Sequence, residues 1–457
     1  MVFTLACVRC RGVGVVRLET CGRRCAHTQT ADDPVSFHEY EFKVAIMRFP
    51  SYSRFMTYLD SLGLFSMRPG LERMRQALNR MDLTRMDLTR PQGAVVHVVG
   101  TNGKGSTSGF LAALGQAHGL RVGLYTSPHL VSVRERIRID GRPLSEERWV
   151  DAANAVMERC ADVGLTYFEL ITIMTLHIFR SEAPDLIVLE AGLGGTHDAT
   201  CVVPFDLAVM TPVGMDHEHV FGPTILDVAK DKSGALGRCP AVIGMQDGRV
   251  RRMFEQTCAG RPFWNLEDLQ VPAGFAFPGG TILSGEALPD HPPYQVENAA
   301  LALLAWSRLA EMRGWISDSA LCTLTLARTR FPGRFYRHGR FLVDGAHNAM
   351  GLTALCEALV QKGEHFDRLV FQSMRDKVLP DALLSRLGAL ADEILIPALP
   401  ELERAGDPTE LARRFGFDAG VADSPAEALA PEGTVLVCGS LYLAGAYYAL
   451  HPEQLGW

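Results

Sequence analysis

The sequence predicts an α/β protein of two unequal domains. The larger is N-terminal with a mostly parallel sheet, and the smaller is Rossmann-like and C-terminal. Three observations predict it. Apolar, β-branched runs at residues 95–99, 121–126, 185–190 and 207–211 alternate with amphipathic stretches, the signature of strands joined by helical crossovers. Glycine-rich turns follow several of these runs, where open parallel sheets place ligand groups. The alternation then starts again beyond residue 332, with runs at 340–343, 368–372, 393–396 and 434–438. The boundaries expected are an N-terminal extension over 1–46, a central domain over 47–327 and a C-terminal domain over 328–457.

The chain is centred on VVHVVGTNGKGSTS at 95–108. A buried strand over 95–99 runs into Gly100-Thr-Asn-Gly-Lys-Gly-Ser106, and a helical pattern follows over 107–118. Strand, glycine loop, Lys-Ser and helix form the layout of a phosphate-binding loop. Backbone N–H groups turn inward on an anion, and the helix N-terminus adds partial positive charge. Lys104 would reach the β- and γ-phosphates, and the Ser106 hydroxyl stands where Mg²⁺ is usually held. The strict G-x-x-x-x-G-K-[ST] spacing is not met, because Gly100 stands three residues before Gly103. The central domain is therefore read as a P-loop nucleotide-binding domain.

Composition bounds the remaining choices. The chain has 457 residues, 47% hydrophobic and 21% charged, as in ordinary globular proteins. A net charge of −7 argues against a nucleic-acid binder, which needs a basic face. No apolar run reaches the roughly 18 residues of a membrane span, and residues 1–46 hold no continuous apolar segment of a secretory signal. Eleven cysteines, an odd number, fit reduced thiols in a cytoplasmic protein. Cys7, Cys10, Cys21 and Cys25 have a C-x₂-C…C-x₃-C spacing that also suits Zn²⁺, but the segment lacks a packed pattern and reads as a disordered extension or a misassigned start.

The remaining elements follow in order. Residues 53–78 are helical in pattern, and MDLTRMDLTR at 81–90 is a tandem repeat read as a tolerant surface loop. Residues 131–141 alternate charges and end in a turn, and 145–163 are amphipathic helix. Thr166-Tyr-Phe-Glu169 leads into an apolar helix over 170–179. Glu190 ends a buried strand before Ala191-Gly-Leu-Gly-Gly195. Helices are expected over 225–236 and 295–311, with loop or small sheet over 259–293. Asp344-Gly-Ala-His-Asn348 and Ser373-Met-Arg-Asp-Lys377 follow strands of the second domain. Taken singly, Glu190 reads equally as a turn cap, His217 as a turn histidine, Lys232 as a solvated helix lysine and Arg334 as a surface charge. Asp216-His-Glu-His219 also has the composition of a transition-metal cluster.

In order along the chain stand GTNGKGS, TSPHL, TYFE, LEAGLGG with DAT, MDH, AKDKSG, NAALA, PGR and DGAHN. This series resembles the folylpolyglutamate synthase / dihydrofolate synthase family of the Mur-ligase superfamily, from about Phe55 to the C-terminus. The resemblance implies ATP-dependent joining of L-glutamate to dihydropteroate, to the γ-carboxylate of folates, or to both, through an acyl phosphate. It places ATP on Asn102, Gly103, Lys104, Gly105 and Ser106, with Asn298, Arg334 and Asp344 as further contacts. It places Mg²⁺ on Ser127, Glu190 and His217, and a second metal beside Lys232, which is carbamylated in relatives. It places the pterin on Thr166, Tyr167, Phe168 and Glu169, and substrate on His347 of DGAHN. Lys104, Lys232, His217 and Arg334 become the catalytic set, in a cytoplasmic monomer with no nucleic-acid or membrane partner. Thr196 and Cys201 depart from the usual G-L-G-G-R-x-D-A-T-N, and Ser373–Lys377 from the usual G-M-x-x-D-K-D, which bears on the acid acceptor. A Mur-type ligase for another acid and a non-catalytic nucleotide switch are the competing readings.

Overall fold

The computed structural model describes residues 48–64, 68, 70–83, 93–278, 280–416, 419–430 and 432–455. The expected extension, with Cys7, Cys10, Cys21 and Cys25, and residues 84–90 of the tandem repeat lie outside these. Met81 and Leu83 of the first repeat copy are only 3% exposed, so that copy starts in the core rather than in a surface loop.

Eight strands form the first sheet: β1 (Ala94–Val99), β2 (Val122–Tyr125), β3 (Ile137–Ile139), β4 (Arg142–Pro143), β5 (Leu186–Glu190), β6 (Leu207–Met210), β7 (Ala241–Ile243) and β8 (Phe263–Asn265). Their order is β4-β3-β2-β5-β1-β6-β7-β8. Only β3 and β4 run antiparallel to their neighbours. β1 lies between β5 and β6, parallel to both, and every one of its residues is buried. Its side chains alternate between two cores. Val95 and Val99 join helices Tyr52–Ser61, Glu146–Cys160 and Tyr167–Glu182, while Val96 and Val98 face helices Lys104–Ala117 and Pro293–Arg313. This is the period of two that a doubly covered sheet requires.

A small sheet of β9 (Gln270–Val271), β10 (Gly274–Ala276) and β11 (Ile282–Leu283) occupies the expected irregular region. The last sheet contains β12 (Tyr336–His338), β13 (Phe341–Val343), β14 (Phe366–Phe371), β15 (Ala391–Pro397), β16 (Ala419–Ala422) and β17 (Val435–Cys438). Its order is β12-β13-β17-β14-β15-β16, parallel except for the β12–β13 hairpin. Leu436 and Cys438 face one core, Val435 and Val437 the other. Among the described residues no helix is long and apolar enough to cross a membrane.

Two expectations about elements need correction. The helix expected to begin at Leu170 begins at Tyr167, because Thr166 and Glu169 form a reciprocal capping box: the Thr166 hydroxyl accepts from the Glu169 N–H and the Glu169 carboxylate from the Thr166 N–H. The helix expected over 225–236 stops as α-helix at Lys232 and tightens into one 3₁₀ turn, Ser233–Ala235.

Helix Lys104–Ala117 starts directly on the glycine loop, with Gly103 in the left-handed region at φ 83°. A Cβ on Gly103 would stand 2.2 Å from Asn298 Oδ1, and one on Gly100 1.9 Å from Thr211 Oγ1. The loop is thus wedged between helix Pro293–Arg313 and the end of β6, and neither position tolerates a side chain. Gly103→Ala is expected to cost about 1–2 kcal/mol from the left-handed backbone alone, plus displacement of Asn298, read as a lower thermal midpoint. Trp306, fully buried on that helix and stacked on Trp315 at 5.8 Å, anchors the core beneath it. Trp306→Ala is expected to lose about 3–5 kcal/mol, measured by urea unfolding of the whole chain.

Candidate active site

The parallel strands of both sheets end at one place. Loops that follow β1, β2, β5 and β6 meet loops that follow β13, β14 and β17 around a cavity of about 920 Å³. Of the residues singled out in the sequence, Asn102, Gly103, Lys104, Gly105, Ser106, Ser127, Thr166, Phe168, Glu169, Glu190, His217, Lys232, Asn298, Arg334, Asp344 and His347 all line it. Tyr167 does not. It is 3% exposed in the first core, because the first turn of its helix points Phe168 at the cavity and Tyr167 behind it.

The loop's lysine sits inside the ring it forms. Lys104 Nζ donates to the carbonyls of Gly100 and Thr101 at 3.2 and 3.1 Å. Lys232, from the last turn of helix Ile225–Lys232, donates to the same Gly100 carbonyl at 2.9 Å. Burial and the neighbouring Lys104 charge bring the Lys232 amine down to about 7. Gln295 donates to the Ser106 hydroxyl at 3.1 Å and accepts from Asn298 at 3.1 Å, so the helix behind the loop orients the Ser-bearing turn.

Glu190, at the end of β5, is 2% exposed. One carboxylate oxygen accepts from the Ser127 N–H at 2.9 Å. Burial raises its pKa, opposed by Lys104 and Arg334. His217 has a left-handed backbone, φ 54°, and burial brings its imidazole down to about 4, leaving it neutral with a lone pair to offer. A hydroxyl, a carboxylate and a neutral imidazole lining one cavity are donor types that fit Mg²⁺, which retains several waters and phosphate oxygens. Among the described residues no group of three or more His, Cys, Asp and Glu side chains forms a metal cluster. The Asp216–His219 stretch is no exception. Asp216 accepts from Lys377 Nζ at 2.5 Å and from Asn348 Nδ2 at 2.9 Å.

Those two bonds cross from one sheet to the other. Asn348 also exchanges amide hydrogen bonds with Asn102 of the glycine loop, at 3.0 and 2.9 Å, while capping helix Ala349–Gln361. Arg334 arrives from the hairpin side. Its Nη2 stands 3.9 Å from the Cβ position of Gly105. Asp344 holds that turn: it accepts from the N–H groups of Phe335 and Ala346, each at 2.7 Å, and from the Tyr294 hydroxyl at 2.9 Å. Phe335 takes a left-handed φ of 51°, local strain that Asp344 stabilises. His347 hydrogen-bonds the Gly345 carbonyl through Nδ1 at 2.8 Å and is brought down to about 4 by burial and Lys377.

Glu169 is committed within the fold: Arg73 binds it bidentately at 3.0 and 2.9 Å. Phe168 covers Gly192, where a Cβ would stand 2.5 Å from its ring. Thr196 and Cys201 do not line the cavity. The Thr196 hydroxyl donates to the Asp231 carbonyl and the Cys201 thiol to the Gly195 carbonyl, each at 2.7 Å, so both brace the glycine turn. Met374, Asp376 and Lys377 of the third departure do line it. Sequence reasoning missed Gln295 as a site residue, and it read Asp216 only as part of a possible metal cluster and Lys377 only as part of a departed motif. Asp376-Lys377 was detectable as the retained half of a departed motif, whereas Gln295 carries no local signal.

No protein-family model matches the chain. It is 31% identical over 384 residues to a folylpolyglutamate synthase of Lacticaseibacillus casei, spanning 78% of this chain and 89% of that protein. It is 31% identical over 413 residues to a dihydrofolate synthase/folylpolyglutamate synthase of Escherichia coli strain K12, spanning 85% and 92%. The solved structure of E. coli FolC in complex with DHPP and ADP matches with a TM-score of 0.77 at 27% identity, over 88% of this chain and 98% of that one. A bifunctional folylpolyglutamate synthase/dihydrofolate synthase of Yersinia pestis, complexed with AMPPNP and a Mn ion, matches at 0.74 and 28% identity, over 88% and 98%. At 31% identity over most of its length, the chain belongs to the folylpolyglutamate synthase / dihydrofolate synthase family of ATP-dependent ligases.

Proposed function

We propose that this chain joins L-glutamate to dihydropteroate and to the γ-carboxylate of folates, with ATP as the energy source. The supporting observation is the convergence of the glycine loop, Glu190, Lys232, Phe168 and Arg334 on one cavity between two sheets. Residues 47–327 would act as the ATP-binding domain and 328–457 as the ligase domain, in a cytoplasmic monomer.

The loop N–H groups of 102–106 and the helix start would cradle the phosphates, with Lys104 on the β- and γ-phosphates and Asn298 holding the loop from behind. Arg334, held by Asp344, would neutralise the γ-phosphoryl group from the other domain. Mg²⁺ on Ser127, Glu190 and His217 would spread the remaining phosphate charge. The substrate carboxylate attacks the γ-phosphorus and ADP leaves. The glutamate ammonium gives one proton to solvent, and the free amine attacks the acyl carbon. Inorganic phosphate leaves, taking up the second proton that nitrogen loses as the amide forms. Positioning and electrostatics supply most of the rate in phosphoryl transfer, and the interdomain bonds through Asn348 and Lys377 exclude water from the acyl phosphate. Phe168 and Thr166 would bound the pterin. Glu169 would act indirectly, by holding the capped helix start and Arg73.

Lys232 is suited to carbamylation, because an amine near 7 is largely free base at cytoplasmic pH and only the free base adds CO₂. The carbamate would supply an anionic ligand for a second metal and remove the charge conflict with Lys104. The Lacticaseibacillus relative carries only the second activity in its name, which favours a polyglutamate-only enzyme as the other reading.

Phosphate release and product mass decide between them. Release that requires glutamate and occurs with both dihydropteroate and a reduced folate supports both activities. Release with folate alone leaves the second reading, and release with neither overturns the assignment. Lys104→Ala is expected to lower kcat by about 10²–10³-fold through loss of a transition-state phosphate contact, checked in the same assay. Activity of CO₂-stripped protein is expected to recover faster at pH 8 than at pH 6 when dissolved CO₂ is held at the same concentration, since the Lys232 free base prevails above about 7. A ¹³C-carbamate resonance absent from Lys232→Ala would confirm its origin, and equal recovery at both pH values would count against it.

A further inference from the structure

Arg136 closes the short 3₁₀ helix Val133–Arg136 and lines the cavity on the side of Phe168 and Ser127. It is 4% exposed. Two contacts fix it. Nε donates to His129 Nδ1 at 3.0 Å, and the guanidinium lies 5.5 Å over the Tyr167 ring. His129 offers no negative charge, since an imidazole is either neutral or cationic.

The carboxylates that would ordinarily pair with such a cation are already engaged. Glu135, its chain neighbour, accepts from the N–H groups of Leu130, Val131 and Ser132 at 2.8, 2.8 and 2.7 Å. Glu169 is bound bidentately by Arg73. Glu190 accepts from Ser127 and is shared electrostatically among Lys104, Arg334 and, more weakly, Arg136, without an ion pair to the last. Among the described residues Arg136 has no ion-pair partner. A buried guanidinium left unpaired is strongly destabilising, and its fork of donors fits a carboxylate in two parallel bonds. The phosphate side of the cavity already has Lys104, the loop amides and Arg334.

We infer that Arg136 is a substrate-binding residue that receives the carboxylate end of the acid substrate, with Tyr167 as the plate beneath it. This gives Tyr167, which does not reach the cavity, an indirect part in recognition. The inference rests on the proposed ligase function.

Binding of dihydropteroate and of a reduced folate monoglutamate is measured by calorimetry for wild type, Arg136→Gln and Arg136→Lys, beside KM values for glutamate and ATP. Wild type that binds neither acid overturns the ligase reading and this assignment with it. With wild type binding, Arg136→Gln is expected to weaken the acid by about tenfold or more, the loss of one charge-assisted bidentate contact. ATP KM should stay near wild type, and the thermal midpoint should not fall, since an unpaired buried charge is removed. Arg136→Lys, with charge but no fork, should fall between the two and serves if the Gln variant does not fold. Weakening of both acids assigns Arg136 to the reacting carboxylate; weakening of folate alone assigns it to the α-carboxylate of the terminal glutamate. Unchanged acid affinity in both variants, a loss confined to glutamate, or an equal loss for ATP would overturn the inference.

Discussion

Two lysines donate to one carbonyl oxygen, that of Gly100, and the rest of the site is arranged around this crowding. Two ammonium groups that close in a buried pocket repel strongly, since little water screens them. The structure offsets the repulsion in two ways. Lys232 moves toward its neutral form. Glu190 and Asp216 stand near enough to Lys104 to support its charge against burial. The glycine at position 100 makes the arrangement possible, because Thr211 occupies the space where a side chain would go. The glycine loop is therefore a packed junction of β1, β6 and helix Pro293–Arg313.

The second sheet completes the site instead of merely covering it. Asp216 follows β6, while its partners Lys377 and Asn348 follow β14 and β13. The Asp216–Lys377 pair is nearly dry, with side chains 9% and 7% exposed. Breaking such a pair leaves a buried charge uncompensated, so it favours a single relative placement of the two sheets. Asn102 ties the same junction to the glycine loop. A change in the loop is felt directly at the helix start that carries His347 and Asn348.

Several site residues act on the fold first. Asp344 gives its oxygens to the Arg334 turn, and Glu169 gives its own to Arg73 and a helix cap. Both stand in motifs with expected ligand roles. Their hydrogen bonds fix the walls of the cavity that they share with Arg334, Phe168, Lys104, His217 and Arg136. Thr196 and Cys201 show the converse: departures at the glycine turn are absorbed by bonds to backbone carbonyls beneath it, outside the cavity lining.

The sequence by itself determined β1, β2, β5 and β6 of the first sheet, β13, β14, β15 and β17 of the second, the loop at 100–106 and the order of motifs, because each rests on local periodicity or on a turn that only glycine permits. The short strands β3, β4, β8, β12 and β16 carry no such run. Local rules also held the capping box of Thr166 and Glu169, a signal visible three residues apart. Tertiary structure alone decided which charges remain available. Arg136 and Arg73 are alike in the sequence, yet one binds Glu169 and the other faces the cavity with its neighbouring acid consumed by three N–H groups. It also decided that Lys377 reaches Asp216 across 161 positions of chain. Hydrogen-bond partners at such separations depend on how two sheets meet, and no local pattern encodes that.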